Sequence, residues 1–110
     1  MKLIDLELHY WELYEDHEGF YLNIRIFVKW MTIEKCVVLN DDAIENYRSQ
    51  GKEFIDGLSQ RIRSSHYRND YNRFYPYLEV SKEKKEKISK VFYLWVDNSN
   101  APFDPYFFEN

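Results

Sequence analysis

Cysteine is almost missing from this chain: 110 residues contain one, Cys36. No internal disulfide can form, so the fold must rest on a buried core, and a reducing compartment is the natural setting. Val37, Val38 and Leu39 follow Cys36 directly. That context reads as a buried thiol in a strand, a small hydrophobe rather than a nucleophile. Glycine is equally scarce, with three isolated copies, so no glycine-rich loop can aim backbone N–H groups at a phosphate or an oxyanion. The histidines, His9, His17 and His66, have no second His or Cys at metal-ligand spacing. They read as a strand-face, a turn and a helix-end histidine, and neither a metal nor another cofactor is expected. Ser64 and Ser65 precede His66, but adjacency along the chain is not a triad, and a non-enzymatic protein is expected. The longest apolar run, Val91 to Val96, is too short to span a bilayer. The opening Met1-Lys2-Leu3-Ile4-Asp5 has no apolar core of a secretion signal. A cytoplasmic protein is the expectation.

What is abundant is aromatic: ten Tyr, eight Phe and three Trp. Hydrophobic residues make up 45% and charged residues 31%, enough for a real core inside a solvated exterior and too apolar for a disordered chain. The length suits one domain, residues 1–110. Net charge is −4, which disfavours general binding to nucleic acid or anionic membrane. The charge is unevenly placed. Residues 1–19 carry one lysine against six carboxylates, whereas residues 61–90 carry nine basic groups against four acidic ones. Residues 91–110 carry only Asp97, Asp104 and Glu109.

Periodicity organises the chain into elements. Ile4, Leu6, Leu8 and Tyr10 alternate with polar residues, while Trp11 and Leu13 fall on the opposite face. Residues 3–14 therefore read as one strand, with a bulge or with a far end covered on both faces. Glu15 to Gly19 reads as a hairpin turn. Phe20, Leu22, Ile24, Ile26, Val28 and Trp30 share one face of a strand over 20–30, and 33–39 reads as a third. Asp42 and Glu45 have capping-box spacing at the start of a short helix, which Gly51 is placed to end. Phe54, Leu58 and Ile62 form the apolar stripe of a second helix over residues 52–66. Pro76 limits 74–80 to an edge strand. Ile88, Val91, Phe92 and Trp95 have helical spacing, but the run Val91 to Val96 is β-rich in composition, so a last strand over 90–97 is expected. The predicted fold is α+β: an antiparallel sheet of about five strands with two helices on one face, in the order β-β-β-α-α-β-β.

Two surfaces stand out. Arg61 to Tyr75 interleaves basic and aromatic residues, a pattern able to hold single-stranded nucleic acid. A helix end that places arginines against its negative dipole, followed by a packed aromatic loop, accounts for it as well. The second is acidic. Glu12, Glu15, Asp16 and Glu18 lie near the first turn, and Asp97, Asp104, Tyr106 and Glu109 near the C-terminal end. If brought together, they would form a carboxylate and aromatic patch suited to a basic protein partner.

In its small size, acidity, aromatic richness and lack of cofactor motifs, the whole chain resembles the immunity proteins of bacterial polymorphic toxin and contact-dependent growth inhibition systems. The resemblance is one of character and maps no motif. It implies stoichiometric inhibition of one cognate toxin, often a basic nuclease domain, through the acidic set named above. A phage anti-CRISPR-type nuclease inhibitor shares that character. A single-stranded nucleic-acid-binding module built on Arg61 to Tyr75, and a small enzyme assembled from scattered groups, are the readings from other classes.

Overall fold

A computed structural model describes residues 1–69, 77–99 and 103–104. Four strands form one antiparallel sheet in chain order: β1 (Lys2–Glu7), β2 (Trp11–Asp16), β3 (Gly19–Val28) and β4 (Met31–Val38). Three helices follow: α1 (Asp41–Gln50), α2 (Lys52–Arg68) and α3 (Lys82–Ser99). Alternation along the strands gives the sheet two buried faces. On one, Trp11, Leu13, Leu22, Ile24, Ile26 and Val37 join Ala43, Ile55, Leu58 and Ile62 of α1 and α2. On the other, Tyr14, Tyr21 and Cys36 meet Ile88 and Phe92 of α3. The sheet is thus the middle layer of three.

This arrangement corrects the expected five strands with two helices on one face. The described residues hold four strands and three helices, ordered β-β-β-β-α-α-α, and the helices occupy both faces. Two segments account for the difference. The strand expected over residues 3–14 is a hairpin: β1 ends at Glu7, which pairs with Trp11 at the start of β2. Tyr10 N donates to Glu7 O at 2.9 Å, and His9 turns the chain at φ 73°. A left-handed histidine is uncommon, and with no Gly or Pro at the turn the sequence carries no signal of it. The change of face between Tyr10 and Trp11 is this turn, while the register irregularity in β1 lies between Leu3 and Asp5.

The strand expected over residues 90–97 is helical. Ile88, Val91, Phe92 and Trp95 line the stripe that α3 lays on the sheet. Burial of that stripe outweighs the β-preference of the individual residues, which is a weak and context-dependent term. Ser81 helps start the helix, its Oγ accepting from Lys84 N at 3.3 Å.

Smaller differences follow the same logic. β3 ends at Val28, and Trp30 lies in the β3–β4 turn, 89% exposed, instead of continuing the buried face. α1 is capped by Asn40, whose side chain accepts from Ala43 N at 2.9 Å, rather than by an Asp42–Glu45 box. Gly51 does end α1, at φ 68°, a left-handed conformation that glycine adopts without strain. Of the edge strand expected over residues 74–80, positions 74–76 lie outside the described residues. The remainder makes a single antiparallel bridge, Glu79 to Val37, beside β4. No described helix is long and apolar enough to cross a membrane.

Candidate functional site

The sheet face under α3 has a charged centre. Glu12 on β2, and Asn23 and Arg25 on β3, point to this face with Tyr14, because each lies one residue out of phase with the apolar set packed under α1 and α2. Glu12 is 2% exposed. Its Oε1 accepts from Asn23 Nδ2 at 3.1 Å, Arg25 Nη2 at 3.2 Å and Tyr14 Oη at 3.3 Å, and its Oε2 accepts from Arg25 Nε at 3.2 Å. Arg25 also donates from Nη1 to Glu34 of β4. Its guanidinium carbon lies 5.1 Å from the ring centres of both Phe92 and Phe103, a distance at which an aromatic face attracts a cation.

Burial raises the Glu12 carboxyl above its ordinary 4.5, and Arg25 and Asn23 only partly counter this. Burial would lower Arg25, but the Glu12 and Glu34 carboxylates override it and raise the guanidinium further. Tyr14 is raised by burial and by the neighbouring Glu12. Burial also pushes the Cys36 thiol up to about 12, so the thiolate that reacts with electrophiles is suppressed.

A cavity of about 230 Å³ opens beside this centre. Its floor includes Glu12, Asn23 and Cys36, and its far wall is Lys85, Ser89 and Tyr93 of α3. A buried carboxylate with a raised pKa is the usual mark of an acid–base residue. Here, however, the roughly four acceptor positions of the carboxylate face four donors from within the chain. Three of these donors fall on Oε1 and one on Oε2, all from β2 and β3, so the carboxylate is held within the sheet, and Arg25 carries the centre to α3 through the ring of Phe92. Among the described residues, no three His, Cys, Asp or Glu side chains are grouped to hold a metal ion.

Among the described residues, the acidic side chains named from the sequence are spread over several places. Glu12 is inside, bound to Arg25. Glu15 is half-buried at the end of β2. Asp16 accepts from Lys84 Nζ, from Tyr21 Oη at 2.8 Å, and from Glu18 N at 2.8 Å. Burial pushes Asp16 up, but these hydrogen bonds outweigh it and hold the carboxyl well below the usual 3.8. Glu18 is exposed and shares Lys84 at 2.9 Å. Asp97 is exposed thirteen residues further along α3 than Lys84, which at 1.5 Å per residue is about 20 Å away. Asp104 is near the opposite turn of the sheet, its N–H donating to His9 Nε2 at 2.9 Å. Tyr106 and Glu109 lie outside the described residues, as does the aromatic run they bracket.

The basic–aromatic stretch divides in the same way. Arg61 to Asn69 belong to the end of α2 and its cap, and 70–75 fall outside the described residues. Arg63 is buried, its Nε donating to Arg25 O at 3.1 Å and its Nη2 to Tyr10 O at 3.4 Å. His66 and Arg68 occupy the last turn of α2. His17 is exposed in the β2–β3 turn, and His9 is a turn residue rather than a strand-face one.

What sequence reasoning missed is a set of large apolar side chains in water. Trp30 and Met31 are 89% and 58% exposed at the β3–β4 turn. Tyr93 and Leu94 are 57% and 60% exposed on α3. In sequence Trp30, Tyr93 and Leu94 read as strand residues, and Met31 falls between two expected strands. No family model, curated protein or solved structure matches the chain.

Proposed function

We propose that this chain is a non-catalytic inhibitor of the immunity-protein kind, a cytoplasmic domain that neutralises one toxin by binding it. The observation that carries the reading is the contrast between its two kinds of side chain. The ionisable groups of the charged centre are spent on one another, whereas Trp30, Met31, Tyr93 and Leu94 stand in solvent. Tryptophan, tyrosine and methionine are the residues that anchor protein interfaces. The net charge of −4 favours approach of a basic toxin domain, such as a nuclease. Among the described residues of the acidic set, Glu18, Asp97 and Asp104 are the exposed ones and so able to flank such a contact.

The test is affinity capture from the native cell with wild type and with the Trp30→Ala, Tyr93→Ala double variant, followed by partner identification by mass spectrometry. Expression of the captured partner in a heterologous host should be toxic, and co-expression of this chain should restore growth. A partner whose toxicity is unaffected by the chain, or capture that is identical for the double variant, counts against the reading.

A further inference from the structure

β4 is an edge strand, and among the described residues half of that edge has no backbone partner. Antiparallel pairing makes alternate residues turn their backbone groups outward, away from β3. In β4 the outward residues are the even-numbered ones. Val80 N donates to Cys36 O at 2.9 Å, and Val38 N donates to Leu78 O at 2.8 Å. Thr32 and Glu34 continue the same row, and among the described residues their outward N–H and C=O groups meet no backbone partner. Such a row is a template for one more strand. Its surroundings are those of a binding edge. Trp30 and Met31 stand exposed at one end, and Leu78, 75% exposed, lies at the other. Glu34 and Cys36 also line the cavity under α3, so an outer strand would carry alternate side chains past its mouth. The local charge is positive. Lys29 and Lys85 are exposed there, Lys35 pairs with Glu79, and Arg25 is shared by Glu12 and Glu34, which leaves these four cations one ahead of the three carboxylates.

We propose that Met31–Lys35 accepts an extended segment of a partner protein as a fifth strand. That segment would bring an apolar side chain to the cavity and a carboxylate to Lys29 or Lys85. The inference rests on the protein-binding reading above and names the docking mode. The sign belongs to the docking strand and not to the whole partner. Strand addition draws affinity from main-chain hydrogen bonds and specificity from pockets for alternate side chains, and both parts are present here.

The probe is a library of short randomised peptides displayed on phage, selected on the purified chain and resynthesised. The variant is Thr32→Pro, which deletes an N–H that faces away from β3 and so costs the sheet no internal bond. Selected peptides should carry an acidic residue two positions from an apolar one, on the same face of the strand, and bind Thr32→Pro about tenfold more weakly than wild type. Lysine in place of their acidic residues should weaken them further. Hydrogen exchange on the wild-type chain keeps the test independent of how the variant folds: the Thr32 and Glu34 amides should exchange freely alone and become protected with peptide. No enrichment, equal binding to Thr32→Pro, or unprotected amides in the complex overturns the inference. So does a wild-type dimer, or a bound single-stranded oligonucleotide, that itself protects those amides. A toxin neutralised without protection of Thr32 and Glu34 would end the edge inference and leave the inhibitor reading standing. Peptide docking at the edge in a chain that neutralises nothing would do the reverse.

Discussion

Replacing Arg25 by methionine tests the charged centre directly. Arg25 makes two hydrogen bonds to Glu12 and one to Glu34, and lies 5.1 Å from the ring centres of both Phe92 and Phe103. Methionine keeps much of the apolar stem but leaves Glu12 buried, with only Asn23 and Tyr14 as donors. Removing one partner of a buried ion pair costs about 3–5 kcal/mol, and the arginine–carboxylate geometry here places Arg25→Met in that range. The pH dependence carries the mechanism. The Glu12 pKa is already raised in the folded state, and loss of the cation raises it further. A raised folded pKa means stability that is present below the unfolded value and lost as pH rises through the folded one. The deficit of Arg25→Met relative to wild type should therefore be largest at neutral pH and shrink on acidification toward 4.5, the ordinary value of the carboxyl. Urea melts of both proteins at several pH values between these limits measure it, and groups common to both cancel in the difference. The double replacement Glu12→Leu, Arg25→Met removes both charges and should recover most of the loss, to within about 1–2 kcal/mol of wild type. A single-variant loss below about 1 kcal/mol, or a loss independent of pH, would refute the account of Glu12 as a buried carboxylate held by Arg25.

Three further outcomes are expected. Ile26 is fully buried with Leu58 and Ile62, so Ile26→Ala should cost about 2–5 kcal/mol in a urea melt. Asp16 has a depressed pKa in the folded state, so its contribution is present above 3.8 and lost as pH falls below that value. The Asp16→Asn variant should be less stable than wild type at neutral pH and lose less on acidification, as followed by circular dichroism. The Cys36 thiol is buried with its pKa pushed up to about 12, so labelling by a thiol reagent at mildly alkaline pH should be slow in the native protein and fast in denaturant.

Local pattern was a good guide wherever one face of an element is apolar and the other polar. The alternation from Phe20 to Val28 and the stripe Phe54, Leu58, Ile62 each specify their element unaided. The turn at Gly19 and the helix end at Gly51 were readable because glycine marks them. The turn at His9 was not readable, since a non-glycine residue takes the left-handed conformation there for reasons the neighbouring residues do not display. In α3, two local signals disagreed. The helical spacing of Ile88, Phe92 and Trp95 pointed one way and the β-rich run from Val91 to Val96 the other, and only contact with the second sheet face decided between them.

The sequence by itself determined the alternating strand that begins at Phe20, the first two helices and the buried state of Cys36, because each depends on neighbours within a few residues. The tertiary structure alone decided which charges face each other. Glu12 meets Arg25 across thirteen positions, and Asp16 meets Lys84 across sixty-eight. It also decided that an acidic stretch becomes a set of internal partners while Trp30 and Met31 remain in water. A carboxylate reads the same in sequence whether it faces solvent or a guanidinium, since its role is set by the dielectric and the cations that folding brings to it.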